Sequence, residues 1–121
     1  MADQIGAAGL AVLRELLPVG AAVDDRDGDG QSALWHAAWR GELGVVVHLA
    51  EKLGASTTLA ANGATPLSIA AFGGHLAVVQ WLAGHGGSVT QPSNGGTTPL
   101  AIARLKKRTA VVGWLEANGA R

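Results

Sequence analysis

The run Asp25-Arg26-Asp27-Gly28-Asp29-Gly30 sets carboxylates at alternate positions, with a glycine where a calcium-binding loop must bend. Coordination of a hard cation is therefore the first chemistry to weigh. The second half of such a loop is missing. Its twelfth position is His36 where a bidentate Glu is needed, and its eighth is Ser32 where a buried aliphatic belongs. A solvated acidic turn explains the same residues, with a calcium-responsive module on the Asp25–Asp29 turn as the alternative. The histidines, His36, His48, His75 and His85, form no i, i+4 pair, so no metal ligand set is expected. There is no Cys, and no Ser stands in a Gly-x-Ser-x-Gly turn. The Gly-Gly pairs at 73–74, 86–87 and 95–96 lack the Lys-Ser/Thr that follows a phosphate-binding loop. No catalytic residue, metal site or cofactor is expected, and the protein is not expected to be an enzyme.

Arg104-Leu105-Lys106-Lys107-Arg108 is the other chemistry-bearing cluster, suited to an anionic surface. It is one short run on a chain of zero formal net charge, and a solubilising terminal cap accounts for it better, so a nucleic-acid partner is not expected. The charge is unevenly spread. Residues 1–51 carry eight acids against three bases, a net −5; residues 52–121 carry six bases against one acid, a net +5. Between Leu53 and Ala103 there is no Asp, Glu, Lys or Arg. A free monomer usually scatters charge over its surface, so this stretch suggests cover by a lasting assembly or a Gly/Ala-biased composition. Apolar residues at 48% argue against a disordered chain. Absence of Cys favours a reducing compartment, and the N-terminal apolar run, broken by Arg14 and Glu15, makes a poor signal peptide. The expectation is one domain in the cytoplasm, with the nucleus as the alternative and no membrane span.

The elements that position these residues follow from a repeat. At an offset of 33 the chain falls on itself: Gly30, Gly63 and Gly96 align, then Leu34, Leu67 and Leu100, then Ala37, Ala70 and Ala103. Val46, Val79 and Val112 match further on, as do Leu49, Leu82 and Leu115, and these two series extend back to Leu13 and Leu16. Thr65-Pro66 and Thr98-Pro99 place a hydroxyl N-cap before a proline at the first helical position, with Ser32-Ala33 as a weaker version. A helix of about two turns follows each cap. Gly41 and Gly74 then supply a positive-φ turn into a second helix with apolar residues such as Leu43, Val46 and Leu49. That helix is expected to stop at Gly54, Gly86 or Gly119, and a polar stretch leads to the next unit.

The stretch Gly63-Ala64-Thr65-Pro66-Leu67-Ser68-Ile69-Ala70-Ala71-Phe72-Gly73-Gly74-His75-Leu76 resembles the ankyrin signature G-x-T-P-L-H-x-A-A-x-x-G-H-L, and residues 30–43 and 96–109 are more distant copies. The resemblance implies an all-α solenoid of stacked helix-turn-helix units with projecting turns. It runs over residues 1–121 as units of about 1–26, 27–59, 60–92 and 93–121, the first shortened. There are departures. The signature's His is replaced by Trp35, Ser68 and Ala101, which puts its usual polar network in doubt. Leu53 is an extra residue, compensated by a shorter turn before Gly63, and Lys107 stands in the Gly41 and Gly74 column. Gly44, Gly84 and Gly113 fall in second helices at about 1 kcal/mol each against Ala, so a modestly stable array is expected.

The resemblance also implies a function: a non-catalytic adaptor, scaffold or inhibitor that binds a protein through its concave face and turn tips. A structural subunit of a stable complex is the alternative. The family's contact positions, carried over, are Trp39, Phe72 and Leu105 at the first-helix ends, with Arg40 and Lys106 beside them. Asp27, Asp29, Asn62 and Asn94 fall on the turn tips, with Gln31 one step beyond. Aromatic anchors with cationic neighbours have the makings of a binding hot spot. Trp81 and Trp114, with His48 ahead of them in the same column, fall among core positions and read as structural.

Overall fold

The computed structural model describes residues 6–58, 60, 61, 63–93 and 95–120. Among them are seven helices and no strands: α1 Gly6–Leu16, α2 Ala33–Arg40, α3 Leu43–Leu53, α4 Pro66–Gly73, α5 Leu76–Ala83, α6 Pro99–Leu105 and α7 Thr109–Ala117. α2, α4 and α6 pack side by side as an inner layer, while α1, α3, α5 and α7 form an outer one. Among the described residues no helix is long and apolar enough to cross a membrane.

Each inner helix begins on its hydroxyl cap. Ser32 Oγ accepts from Trp35 N (3.2 Å), Thr65 Oγ1 from Ser68 N (3.1 Å) and Thr98 Oγ1 from Ala101 N (3.1 Å). Each ends on a bond spanning five residues, from the N–H of Glu42, His75 and Arg108 to the carbonyls of Ala37, Ala70 and Ala103 (2.8–2.9 Å). That closure requires a left-handed residue one position earlier: Gly41 at φ +74° and Gly74 at φ +76°. Lys107 holds the same conformation at φ +58° without the freedom of a glycine.

The core follows the repeat columns. Leu34, Leu67 and Leu100, Ala37, Ala70 and Ala103, and Leu49, Leu82 and Leu115 are all buried, and so is a further column, Val45, Val78 and Val111. Small alanines on the inner helices let these short elements approach closely. Burial slackens in the first and last units, where Leu16 and Val112 are only partly covered.

The extra residue is visible in the hydrogen bonds. α5 and α7 are followed by a five-residue closure, Gly87 N to Leu82 O (2.8 Å) and Ala120 N to Leu115 O (3.0 Å). α3 is followed by a six-residue one, Ala55 N to Leu49 O (2.9 Å). The next turn is shorter by one: it closes from Ala61 N to Ala64 O, against Asp27 N to Gln31 O and Ser93 N to Thr97 O in the other turns. The insertion and the shortening cancel before Thr65, so the inner helices stay in register. Two helix ends fall short of the sequence expectation. α5 stops at Ala83, with Gly84 as its cap, and α7 stops at Ala117. Gly84 thus leaves the helix interior and its cost there does not apply.

Candidate functional site

The inner layer places Trp39, Phe72 and Leu105 at one position near the ends of adjacent helices. Trp39 is 47% exposed and Leu105 70%, both outside the core, while Phe72 is half-buried. The ammonium of Lys106 lies 4.8 Å from the Phe72 ring centroid, a cation–π contact. Arg40 Nη2 donates to Glu15 Oε1 (2.7 Å), and this bond with the opposite charge holds the Glu15 carboxyl below its ordinary range. Arg104 is likewise paired, to Glu116 (2.6 Å).

The backbone beneath this row is locked from the next unit. His75 Nε2 donates to Trp39 O (2.9 Å), and Arg108 Nε donates to Phe72 O (3.0 Å). Both acceptors are unsatisfied carbonyls of a helix C-terminus, where a donor and, for Arg108, a positive charge are favourable. Gly41 makes room for the His75 ring, since a Cβ there would run into it. These inter-unit links were missed at the sequence level, although His75 and Arg108 share one column and were open to that question.

Trp35 replaces the signature's His with a different polar link. Its buried indole donates from Nε1 to Ala64 O (2.9 Å), tying α2 to the following turn. Ser68, in the same column, turns back to its own cap, with Oγ donating to Thr65 O (3.0 Å).

At the first turn Asp27 is committed internally. Its Oδ1 accepts from Asp29 N (2.9 Å) and Gln31 N (3.0 Å), and its Oδ2 meets His36 Nε2 (2.8 Å). These bonds, chiefly those from Gln31 and His36, hold its carboxyl below the ordinary Asp value. Asp25 Oδ2 accepts from Ala22 N, and Asp24 Oδ1 from Ser56 N (2.9 Å each). Asp24, Asp25 and Asp27 thus cap backbone amides, and among the described residues no three His, Asp or Glu gather as a metal-holding group. Asp29 is exposed in the turn, while Gln31 closes it, its N–H donating to Asp27 Oδ1 and its carbonyl accepting from Asp27 N; Asn62 and Asn94 lie outside the described residues. A hollow of about 310 Å³ between α1 and this turn is lined by Glu15, Asp25, Asp27 and His36, each already bonded to a neighbour.

Trp81 and Trp114 are partly buried against the core. Trp81 stacks on His85 (centroids 3.8 Å apart, planes at 11°), whose Nδ1 donates to Trp81 O (2.7 Å). The stack is a local clasp at the end of α5 between side chains four residues apart.

A family model described as ankyrin repeats, in three copies, matches residues 48–121, more than half of the chain. A search of the curated proteins finds no match. The matched span contains the closest copy of the signature, residues 63–76, and the same caps, left-handed turns and buried columns continue upstream through α2 and α3. The chain belongs to the ankyrin-repeat family.

Proposed function

We propose that this protein is a non-catalytic holder of another protein, an adaptor, scaffold or inhibitor that grips its partner with the inner helices and turn tips. Arrays of this family generally work through protein contacts, and the inner layer with its turns is their extended binding surface. The observation that carries the reading is the exposure of Trp39 and Leu105 in one column with the Phe72 ring between them. Large apolar side chains in register, outside a core that Leu, Val and Ala already fill, are what a partner surface needs at its centre. Cations flank the row: Arg40 is held by Glu15, and Lys106 rests on Phe72.

The neutral run between Leu53 and Ala103 favours a second version, a subunit held permanently in a larger complex. The oligomeric behaviour of the isolated chain separates the two. A monodisperse monomer at high concentration supports a reversible binder, and aggregation relieved by a co-expressed partner supports the permanent subunit. A calcium-responsive module has less support, because the Asp27 oxygens are taken by amides and His36.

The test is affinity capture from the source cell with the wild-type chain and with Trp39→Ala/Phe72→Ala. Loss of the captured protein with helix content unchanged supports the reading. Undiminished capture by a folded double variant contradicts it.

A further inference from the structure

The inner layer has one cleft that the repeat fills in one place and leaves open in the next. Between α2 and the following turn, the Trp35 indole occupies the gap and bonds Ala64 O. One unit on, the residue in the Trp35 column is Ser68, whose hydroxyl folds back onto Thr65 O. The equivalent space there is an open cavity of about 110 Å³, walled by Ile69, Phe72, Thr97 and Ile102 with Ser68 and Ser93 at its polar side. An apolar cavity of roughly 150 Å³ holds a whole benzene ring, so a hollow of this size, open on one side, admits the leading edge of one. The carbonyl matching Ala64 O is Thr97 O. It already accepts from Ser93 N (2.8 Å) and Ser93 Oγ (3.2 Å), so a guest ring needs no N–H of its own.

The rim has a definite charge. Lys106 sits over the Phe72 ring that forms one wall, Arg108 Nε donates to the Phe72 carbonyl, and Lys107 lies between the two in sequence. Among the described residues, none of these three has a carboxylate within 4.0 Å, whereas Arg40 and Arg104 are each neutralised by a Glu. Around the cavity itself, from Leu53 to Ala103, the chain carries no formal charge to repel either sign.

We propose that this cavity is the anchor site of the binding face, taking an aromatic side chain, phenylalanine as readily as tryptophan, from an acidic segment of the partner protein. The Trp35 indole is the internal precedent for the ring. Lys106 over the Phe72 wall and Arg108 on the Phe72 carbonyl select carboxylates beside it by charge complementarity. The inference rests on the protein-binding reading above and narrows it to one pocket and one partner chemistry.

The probe is a capped pentapeptide, Asp-Glu-Phe-Asp-Glu, titrated into the labelled full chain while backbone amide shifts are followed by NMR. The expected result is saturable movement at Ser68, Phe72, Thr97 and Ile102, with a dissociation constant on the order of 1 mM. Replacing the peptide's Phe by Ala weakens binding about tenfold or more. Replacing its acids by Lys weakens it further, and added salt weakens the acidic peptide. Ser68→Trp fills the cavity from within, as Trp35 does, and abolishes binding; Ser68→Leu is the smaller filling should the indole prevent folding. No saturable shifts, shifts that survive the filled cavity, or equal binding of the Ala or Lys peptides would overturn the anchor site. If surviving shifts lie on α2, α4 and α6, the broader reading stands without this pocket. If they fall on α3, α5 and α7, both are lost.

Discussion

Gly41 is where backbone geometry and the inter-unit lock meet, and its replacement by alanine has a magnitude that follows from both. A side chain at φ +74° costs about 1–2 kcal/mol in left-handed strain. The added Cβ also runs into the His75 ring, which must leave its 2.9 Å bond to Trp39 O. Losing that bond costs about 1 kcal/mol. Gly41→Ala should therefore destabilise the protein by about 2–3 kcal/mol. In a His75→Ala background the collision and the bond are both gone, and the same substitution should cost only about 1–2 kcal/mol. The double-mutant cycle then gives a coupling of about 1 kcal/mol between the two positions. Urea unfolding followed by tryptophan fluorescence measures all four variants. Equal costs in both backgrounds would refute the lock, and a cost below about 0.5 kcal/mol would refute the strain as well. Gly74→Ala, whose Cβ meets the adjustable Arg108 chain (2.7 Å from Cδ), should lie nearer the pure strain value.

Other expectations follow from the same structure. Lys107→Gly relieves the left-handed strain at φ +58° and should stabilise the array by about 1 kcal/mol in the same urea assay. Trp35→Ala empties a buried site and removes the bond to Ala64 O, a loss of about 3–5 kcal/mol, whereas Trp35→Phe keeps most of the packing and should cost less. The Asp27 carboxyl is held below its ordinary value of 3.8, so its contribution is present above that value and fades as pH falls through the lower folded-state value. Stability measured from about pH 6 down to pH 3 should drop less steeply in Asp27→Asn than in the wild type.

The fold was legible because its signals are local and repeated. Thr-Pro caps, the Gly41 and Gly74 turns and the Leu and Ala columns each state the same unit, and agreement across levels is what specifies a structure. The extra Leu53 was readable from alignment alone, and the hydrogen bonds then show where the extra residue is absorbed and where the turn shortens. Helix ends after Ala83 and Ala117 were less legible, since Gly84, Gly86 and Asn118 are all competent stops and tertiary context chooses among them.

For the Trp39, Phe72 and Leu105 column, shared register was legible and exposure was not. A first-helix column could be core or surface until the neighbouring helices are placed, and only then do Trp39 and Leu105 stand clear. The Trp35-to-Ser68 exchange was visible as a missing signature His. That it opens a cavity depends on how far an indole reaches across a turn, which spacing does not encode. The links from His75 and Arg108 to carbonyls one unit back are long-range contacts between residues 36 apart, beyond any local pattern.

Whether the inner layer holds a protein is read most directly from a hydrogen-exchange footprint of the chain alone and with its captured partner. Added protection is expected in α2, α4 and α6 and in the turns at Asp27–Gln31 and Ser93–Thr97, with α3, α5 and α7 unchanged. Protection confined to the outer helices would contradict that reading.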